Sequence, residues 1–248
     1  MPRETTVAVF RPDDERLDEA AELIESLGAT PVPDALLAVE PTDATPRTDA
    51  DLVVLTSKTG VELAADAGWD PGEATVAAIG ESTAGALRKA DYAVDVVPEE
   101  YTSAGLVDAL AEDVAGKRVE VARSDHGSDV LIDGLDEAGA YVHETILYRL
   151  VRPDGSGVSA ELAAEGDLAA AAFTSSLTVA HFVEAAAERG LREQAIEGLN
   201  DAIVGVIGPP TAETAADYGI DVDVIPDRAD FEELACDVVE EVAPTYHE

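Results

Sequence analysis

Hydroxyl side chains in this chain gather where a strand gives way to a helix. Thr56-Ser57 follow the apolar run Leu52-Val53-Val54-Leu55, and Thr174-Ser175-Ser176 follow Ala171-Ala172-Phe173. Ser82-Thr83 and Thr211 come shortly after Gly80 and Gly208, each of which closes an apolar run and permits close backbone approach. At such junctions free N–H groups and the helix dipole favour an anion, and a hydroxyl can cap the helix or hold a ligand. For any one hydroxyl, capping is the stronger reading. For the set, the position itself argues for binding, because open α/β sheets take their ligands at the carboxyl ends of strands. Arg11 and Arg123 also end strands, Val7 to Phe10 and Val119 to Ala122. A guanidinium there can grip a ligand carboxylate with two hydrogen bonds, and pairing with surface acids is the alternative.

Other chemistries find little support. There is no G-x-G-x-x-G and no P-loop lysine, which argues against nucleotide binding. His126 lies in the loop Ser124-Asp125-His126-Gly127, His143 and His181 lie in element patterns, and His247 lies near the chain end. None has ligand or triad spacing, so each reads as structural or solvated. Cys236 is the only cysteine, at core spacing on a helix, and reads as a buried structural thiol. No metal site is expected. Tyr148 stands apart. Aligning Gly28 with Gly139 sets Leu37 opposite Tyr148, so one of two equivalent segments carries a phenol; a lone tyrosine on a strand is usually packing, but one near a cleft between lobes could donate a hydrogen bond or a proton.

That alignment is possible because the chain says everything twice. Ile79-Gly80-Glu81-Ser82-Thr83-Ala84 returns as Ile207-Gly208-Pro209-Pro210-Thr211-Ala212, and Asp95-Val96-Val97-Pro98 returns at the same offset as Asp223-Val224-Ile225-Pro226. Val7 to Arg11, a helix and Leu27-Gly28-Ala29 match Val119 to Arg123, a helix and Ala138-Gly139-Ala140. Strands are expected at 6–11, 51–56, 75–79, 93–97, 117–122, 169–173, 202–207 and 221–225. Helices are expected at about 14–27, 58–66, 82–89, 103–113, 127–138, 176–189, 210–217 and 230–242, with a short one after the linker Pro153-Asp154-Gly155-Ser156-Gly157. Alternation of this kind predicts doubly wound parallel sheets, and a duplicated α/β unit predicts two similar lobes with a ligand cleft between them. Segments 30–40 and 141–151 are extended, repeat-equivalent and able to pair as a bridge.

Composition sets the outer limits. Hydrophobic residues make up 46%, enough for real cores, and aromatics only 4%, so those cores are built of Ala, Val, Leu and Ile. No apolar run approaches a membrane span and the N-terminus lacks a signal-peptide core, so a soluble, cytoplasmic protein is expected. The 53 acidic and 15 basic residues give a net charge of −38, with lysine confined to Lys58, Lys89 and Lys117. The acids lie along helix faces with no ligand spacing, which fits a salt-rich cytosol better than a dedicated metal or cation surface. No basic patch exists to neutralise phosphates, so nucleic acid is not an expected partner.

The phrases in their order resemble the uroporphyrinogen-III synthase family over nearly the whole chain. The resemblance is carried by Thr56-Ser57-Lys58-Thr59-Gly60-Val61, Ala78 to Ala84, and Val97-Pro98 before Tyr101-Thr102-Ser103-Ala104-Gly105-Leu106. It continues through Glu144 to Tyr148-Arg149, Phe173 to Ser176, and Ile207 to Ala212. The low-lysine acidic composition is similar to that of a haloarchaeal member. The resemblance implies two α/β lobes joined by a two-stranded ladder: residues 1–34 with 153–248 as one lobe, 38–147 as the other. It implies a cofactor-free cyclising dehydration of hydroxymethylbilane with inversion of ring D, through an azafulvenium and a spiro-pyrrolenine. Tyr148 matches the tyrosine proposed to protonate the leaving hydroxyl, and Thr102 and Ser103 join the expected substrate contacts. A transient contact with the upstream deaminase and no membrane partner are also implied. The alternative, from the residues alone, is a non-catalytic two-lobed binding protein for a small polycarboxylate.

Overall fold

The computed structural model of the protein describes residues 5–242. Buried strands form from short runs of small or branched apolar residues, and five of the helices begin at a side-chain cap, Asp14, Ser57, Thr102, Ser128 or Ser175. By its contacts the chain divides into two compact units, one running to Ala38 and resuming at Val151, the other spanning Val39–Leu150.

The first unit holds a four-stranded sheet in the order β2 (Thr30–Pro33), β1 (Thr6–Phe10), β8 (Ala170–Phe173), β9 (Ile203–Val206), with every pairing parallel. Successive side chains of β1 point to opposite faces, so each face meets its own helical layer. Ala8 and Phe10 join Phe173, Phe182 of α7 (Ser176–Glu188) and Leu199 of α8 (Arg192–Asn200). Val7 and Val9 join Ala20 and Ile24 of α1 (Glu15–Ser26) and Leu234 and Val238 of α10 (Phe231–Val242). Phe10 stacks on Phe173 at 4.4 Å between centroids, with Phe182 edge-on to both at 5.9 and 5.7 Å. Three of the four phenylalanines thus make one contact cluster in a core otherwise poor in aromatics.

The second unit repeats the plan as a five-stranded sheet, in the order β3 (Ala38–Pro41), β7 (Tyr141–Val151), β6 (Arg118–Ser124), β4 (Leu52–Leu55), β5 (Thr75–Ala78). The β7–β6, β6–β4 and β4–β5 pairs are parallel. Val53 and Leu55 face α2 (Lys58–Asp66) and α3 (Glu81–Lys89), whereas Leu52 and Val54 face α4 (Ser103–Leu110) and α5 (Asp129–Glu137).

Three expectations are corrected. Segment 30–40 is not one bridge strand. Its first part is β2, an edge strand where Pro31 and Pro33 need donate nothing to a neighbour, and only 38–41 lies beside β7. Between them Asp34 turns inward, accepting from the N–H groups of Gly157 at 2.8 Å and Ser159 at 3.0 Å at the start of α6 (Val158–Glu165).

The strands expected at 93–97 and 221–225 shrink to single bridges, Ala77 with Val96 and Gly205 with Val224. The cause is the same in both. Asp95 Oδ2 accepts from Val76 N–H and Asp223 Oδ2 accepts from Val204 N–H, each at 2.8 Å, so a side chain takes the place of a ladder carbonyl. Pro98 and Pro226 then bring no N–H to extend the pairing.

Helix α8 was not expected, since its sequence is polar apart from a few positions. It forms by packing on α6: Ala195 and Leu199 are buried four residues apart, and Gly198 lies so close to α6 that a Cβ would fall 1.8 Å from the Ala163 carbonyl oxygen.

Candidate functional site

Tyr148 occupies its place because β7 carries a bulge. Along β6 and β7 the pairing runs in register to Arg123 with Ile146, then Ser124 pairs with Tyr148, leaving Leu147 as the extra residue. In an even strand neighbours face opposite sides, but across a bulge both can turn inward. Leu147 and Tyr148 are accordingly both buried, at 1% and 6% exposure, against Val53, Leu55 and Ala122. The Tyr148 hydroxyl reaches Ser57 across the sheet and donates to its Oγ at 3.0 Å.

Ser57 is the N-cap of α2, and its Oγ also accepts from Gly60 N–H at 3.0 Å. Gly60 matters here because a Cβ would come to 3.1 Å from Ser57 Oγ and 3.3 Å from Leu147. Thr56, Ser57, Ser103, Ser124, Arg123 and Tyr148 line a cavity of about 220 Å³ at the carboxyl ends of β4, β6 and β7. The sequence reading therefore brought five of its expected residues to one place.

The neighbouring junctions support this rim. Thr102 caps α4 by accepting from Gly105 N–H at 3.0 Å, which sets Ser103 on the first turn. Gly105 is required, since a Cβ would lie 2.3 Å from the Glu100 carbonyl oxygen. Gly80 is the N-cap of α3 and lies against the Tyr101 side chain; Ser82 is exposed on the first turn, and Thr83 is buried.

Arg123 does not stand free as a carboxylate clamp. Its Nε bonds Glu144 of β7, its Nη1 donates to the Ser128 carbonyl at 2.6 Å, and its Nη2 lies 3.5 Å from Asp129. Only 6% exposed, it spends its fork on holding the 124–129 loop to the sheet, and Gly127 lets that loop close over it, as a Cβ there would meet Arg123 Cδ at 2.4 Å. The same loop is tied to β7 by Asp125, whose Oδ1 accepts from Leu150 N–H at 3.0 Å and faces His126 Nδ1 at 2.9 Å. Burial pushes the Asp125 carboxyl upward, but the His126 and Leu150 hydrogen bonds outweigh it and hold the group below its ordinary value. His126, read as structural or solvated, lines the cavity, as does Ser124, which the sequence reading did not single out; no ligand or triad spacing marks either in the sequence.

In the first unit, Arg11 lies just past β1 with its guanidinium 4.6 Å over the Phe231 ring. Its Nε is buried and finds no hydrogen-bond partner among the described residues. Burial, and after it Arg16, lower its pKa from the ordinary value, against the pull of Asp14, Glu19 and Asp230. Ser175 caps α7 in a reciprocal pair with Thr178, and Ser176 donates to the Pro210 carbonyl at 3.0 Å. Gly208 is the N-cap of α9 (Pro209–Asp217), and Thr211 is buried on its first turn. Among these junctions, Ser57, Thr102 and Ser175 are helix caps, and Ser57 is the one that also bonds a phenol.

Of the remaining candidates, His181 Nδ1 lies 2.6 Å from the Leu36 carbonyl, and His143 pairs with Glu120. His247 lies outside the described residues. Cys236 is only half-buried, with burial and the nearby Glu232, Glu240 and Asp237 raising its pKa. Among the described residues no group of three or more His, Cys, Asp or Glu is placed to hold a metal ion, and no helix is long and apolar enough to cross a membrane.

With this geometry in place, the family model described as uroporphyrinogen-III synthase HemD matches residues 18–236. The chain belongs to the uroporphyrinogen-III synthase family. A Methanothermobacter thermautotrophicus protein provisionally named uroporphyrinogen-III synthase is 35% identical over 238 residues, covering 90% of this chain and 92% of that one. A Synechococcus elongatus uroporphyrinogen-III synthase is 28% identical over 174 residues, covering 67% and 66%. In fold, the chain is similar to a variant uroporphyrinogen III synthase from Thermus thermophilus, with a TM-score of 0.67, 21% identity and coverage of 96% and 98%. The Helicobacter pylori uroporphyrinogen-III synthetase gives a TM-score of 0.59 at 16% identity, with coverage of 97% and 100%. The α/β architecture with parallel sheets is that of the uroporphyrinogen-III synthase structures.

Proposed function

We propose that this chain converts hydroxymethylbilane to uroporphyrinogen III, a cyclising hydro-lyase reaction in which the leaving hydroxyl departs as water and ring D is inverted. The observation that carries the reading is the Tyr148 hydroxyl, fixed at 3.0 Å from Ser57 on a cavity at strand carboxyl ends, within a chain of the synthase family. A phenolic O–H is a hydrogen-bond donor that can also give its proton in general acid catalysis. Losing water and closing a ring is redox-neutral, so the reaction calls for no electron carrier, and we propose that it runs without a cofactor.

The substrate is a flexible chain of four pyrroles bearing carboxylates. Helix-start N–H groups and hydroxyls at Thr56, Gly80, Ser82, Thr83, Thr102, Ser103, Ser175, Ser176, Gly208 and Thr211, with Arg11, are the proposed contacts. Such groups hold anions without carrying net charge. Much of the rate comes from keeping the bilane folded, because unaided closure gives the wrong isomer. The acidic composition supports a cytoplasm rich in salt as the working environment.

The test is to supply freshly generated hydroxymethylbilane and measure type III against type I uroporphyrinogen. Type III in excess is expected. Type I alone, at the spontaneous rate, would leave a binding protein in place of an enzyme.

A further inference from the structure

Ser57 Oγ has two acceptor sites and one hydrogen, as any hydroxyl does. The acceptor sites are taken by the Tyr148 O–H and the Gly60 N–H, both at 3.0 Å. Of the two hydroxyls the phenol is the stronger acid and the better donor, which turns its proton toward Ser57 and leaves the Ser57 hydrogen to be donated outward. Tyr148 is 6% exposed and packed among Val53, Leu55 and Leu147, whereas Ser57 is half-buried on the cavity wall beside Thr56 and Ser103. Both residues line the cavity, but with the phenolic O–H turned to Ser57 it is the serine hydroxyl that has a hydrogen to give to a substrate.

We propose that Ser57 is a catalytic residue that hands the proton to the leaving hydroxyl, with Tyr148 resupplying it in a two-proton relay. This rests on the synthase reading above. As the hydroxymethyl C–O bond breaks, its oxygen takes the Ser57 hydrogen and leaves as water. The pyrrole nitrogen supplies the electron pair that closes the azafulvenium cation. Ser57 Oγ takes the Tyr148 hydrogen, so the serine ends neutral and the negative charge rests on a tyrosinate. The proton that ring closure later releases restores the phenol through the same serine. Atoms and charge balance without another reactant. The α2 dipole and the Gly60 N–H favour negative charge on Ser57 Oγ while its proton is in transfer.

The experiment compares the rate of type III formation in single-turnover mixing with hydroxymethylbilane, in H2O, in D2O and in mixtures of the two. Spontaneous type I formation serves as the internal solvent control. Wild type should give a bowed dependence on deuterium fraction, because two protons move together. Ser57→Asn keeps a good N-cap but has no hydroxyl to relay. Its type III rate should fall about 10²-fold or more at a nearly unchanged unfolding midpoint. Ser57→Thr should restore both the rate and the bow, and Ser57→Asn combined with Tyr148→Phe should be no slower than either alone. If Ser57→Asn folds poorly, the bow in wild type and Ser57→Thr decides the matter. A straight dependence in wild type, or a Ser57→Asn variant as fast as wild type, would overturn the relay and leave Tyr148 donating directly. A wild type that makes no type III isomer would instead overturn the synthase reading.

Discussion

Glu120 of β6 and His143 of β7 are register partners, and the imidazole Nδ1 lies 2.7 Å from Glu120 Oε2. The carboxylate is wholly buried, while the histidine side chain is 49% exposed. The second carboxylate oxygen, Oε1, has no hydrogen-bond partner among the described residues. One half-exposed ring is therefore the direct compensation for a buried acid in the middle of a sheet. His143→Ala should cost about 1–3 kcal/mol, less than a fully buried pair would, because water can enter where the ring was. Adding Glu120→Met should recover most of that loss, since an apolar side chain needs no partner. Urea unfolding of the single and double variants checks this; additive losses would show that the two side chains are not coupled.

Asp95 and Asp223 form a second stability test, because the duplication supplies its own control. Each accepts from one buried strand N–H, of Val76 and Val204 respectively. Replacing either by Ala should cost about 1–3 kcal/mol, the usual range for a backbone group left unpaired. The two aspartates share no partners, so the double variant should lose the sum of the two singles. A negligible loss in either unfolding curve would mean that water or a shifted strand replaces the carboxylate.

These aspartates also mark what could be read from the sequence. The Asp-Val-x-Pro phrase repeats visibly, yet it looks like the end of a strand, and nothing local reveals that the carboxylate replaces a ladder carbonyl. The helix starts at Ser57, Thr102 and Ser175 were legible because capping chemistry lies within a few residues. The pairing of Tyr148 with Ser57 was not, for it depends on a bulge at Leu147 that shows only in the register of two strands. Arg123 failed as a free clamp for the same reason: its partner Glu144 lies on another strand, and the sequence does not say which acids face it. Helix α8 escaped because its apolar face is only a few residues wide and is completed by α6.

Arg11, whose guanidinium lies over the Phe231 ring, is proposed above to take a substrate carboxylate. Arg11→Gln should raise KM about 10- to 100-fold, as hydrogen bonds to charged groups contribute about 1.5–3 kcal/mol. Stability should change less, because stacking on Phe231 is worth only about 0.5–1 kcal/mol at a partly exposed site. An unchanged KM with a large fall in unfolding midpoint would make Arg11 a structural residue only.

Net charge and substrate charge oppose one another. A protein at −38 repels a polycarboxylate, and that field reaches roughly 30 Å at 0.01 M salt but about 3 Å at 1 M. Screening also relieves repulsion among the surface acids. Substrate affinity, activity and unfolding temperature should therefore all rise between 0.1 M and above 1 M KCl. A KCl series that shows full activity and stability at 0.1 M, declining with added salt, would contradict this electrostatic account.

The most direct measurement is the isomer and rate of product from fresh hydroxymethylbilane in a single turnover, with wild type and Tyr148→Phe side by side. Wild type should give type III uroporphyrinogen. The phenylalanine variant, folded and binding product as before, should form type III about 10²- to 10⁴-fold more slowly, so that spontaneous type I overtakes it. Type III at an undiminished rate from Tyr148→Phe would remove this site from the reaction.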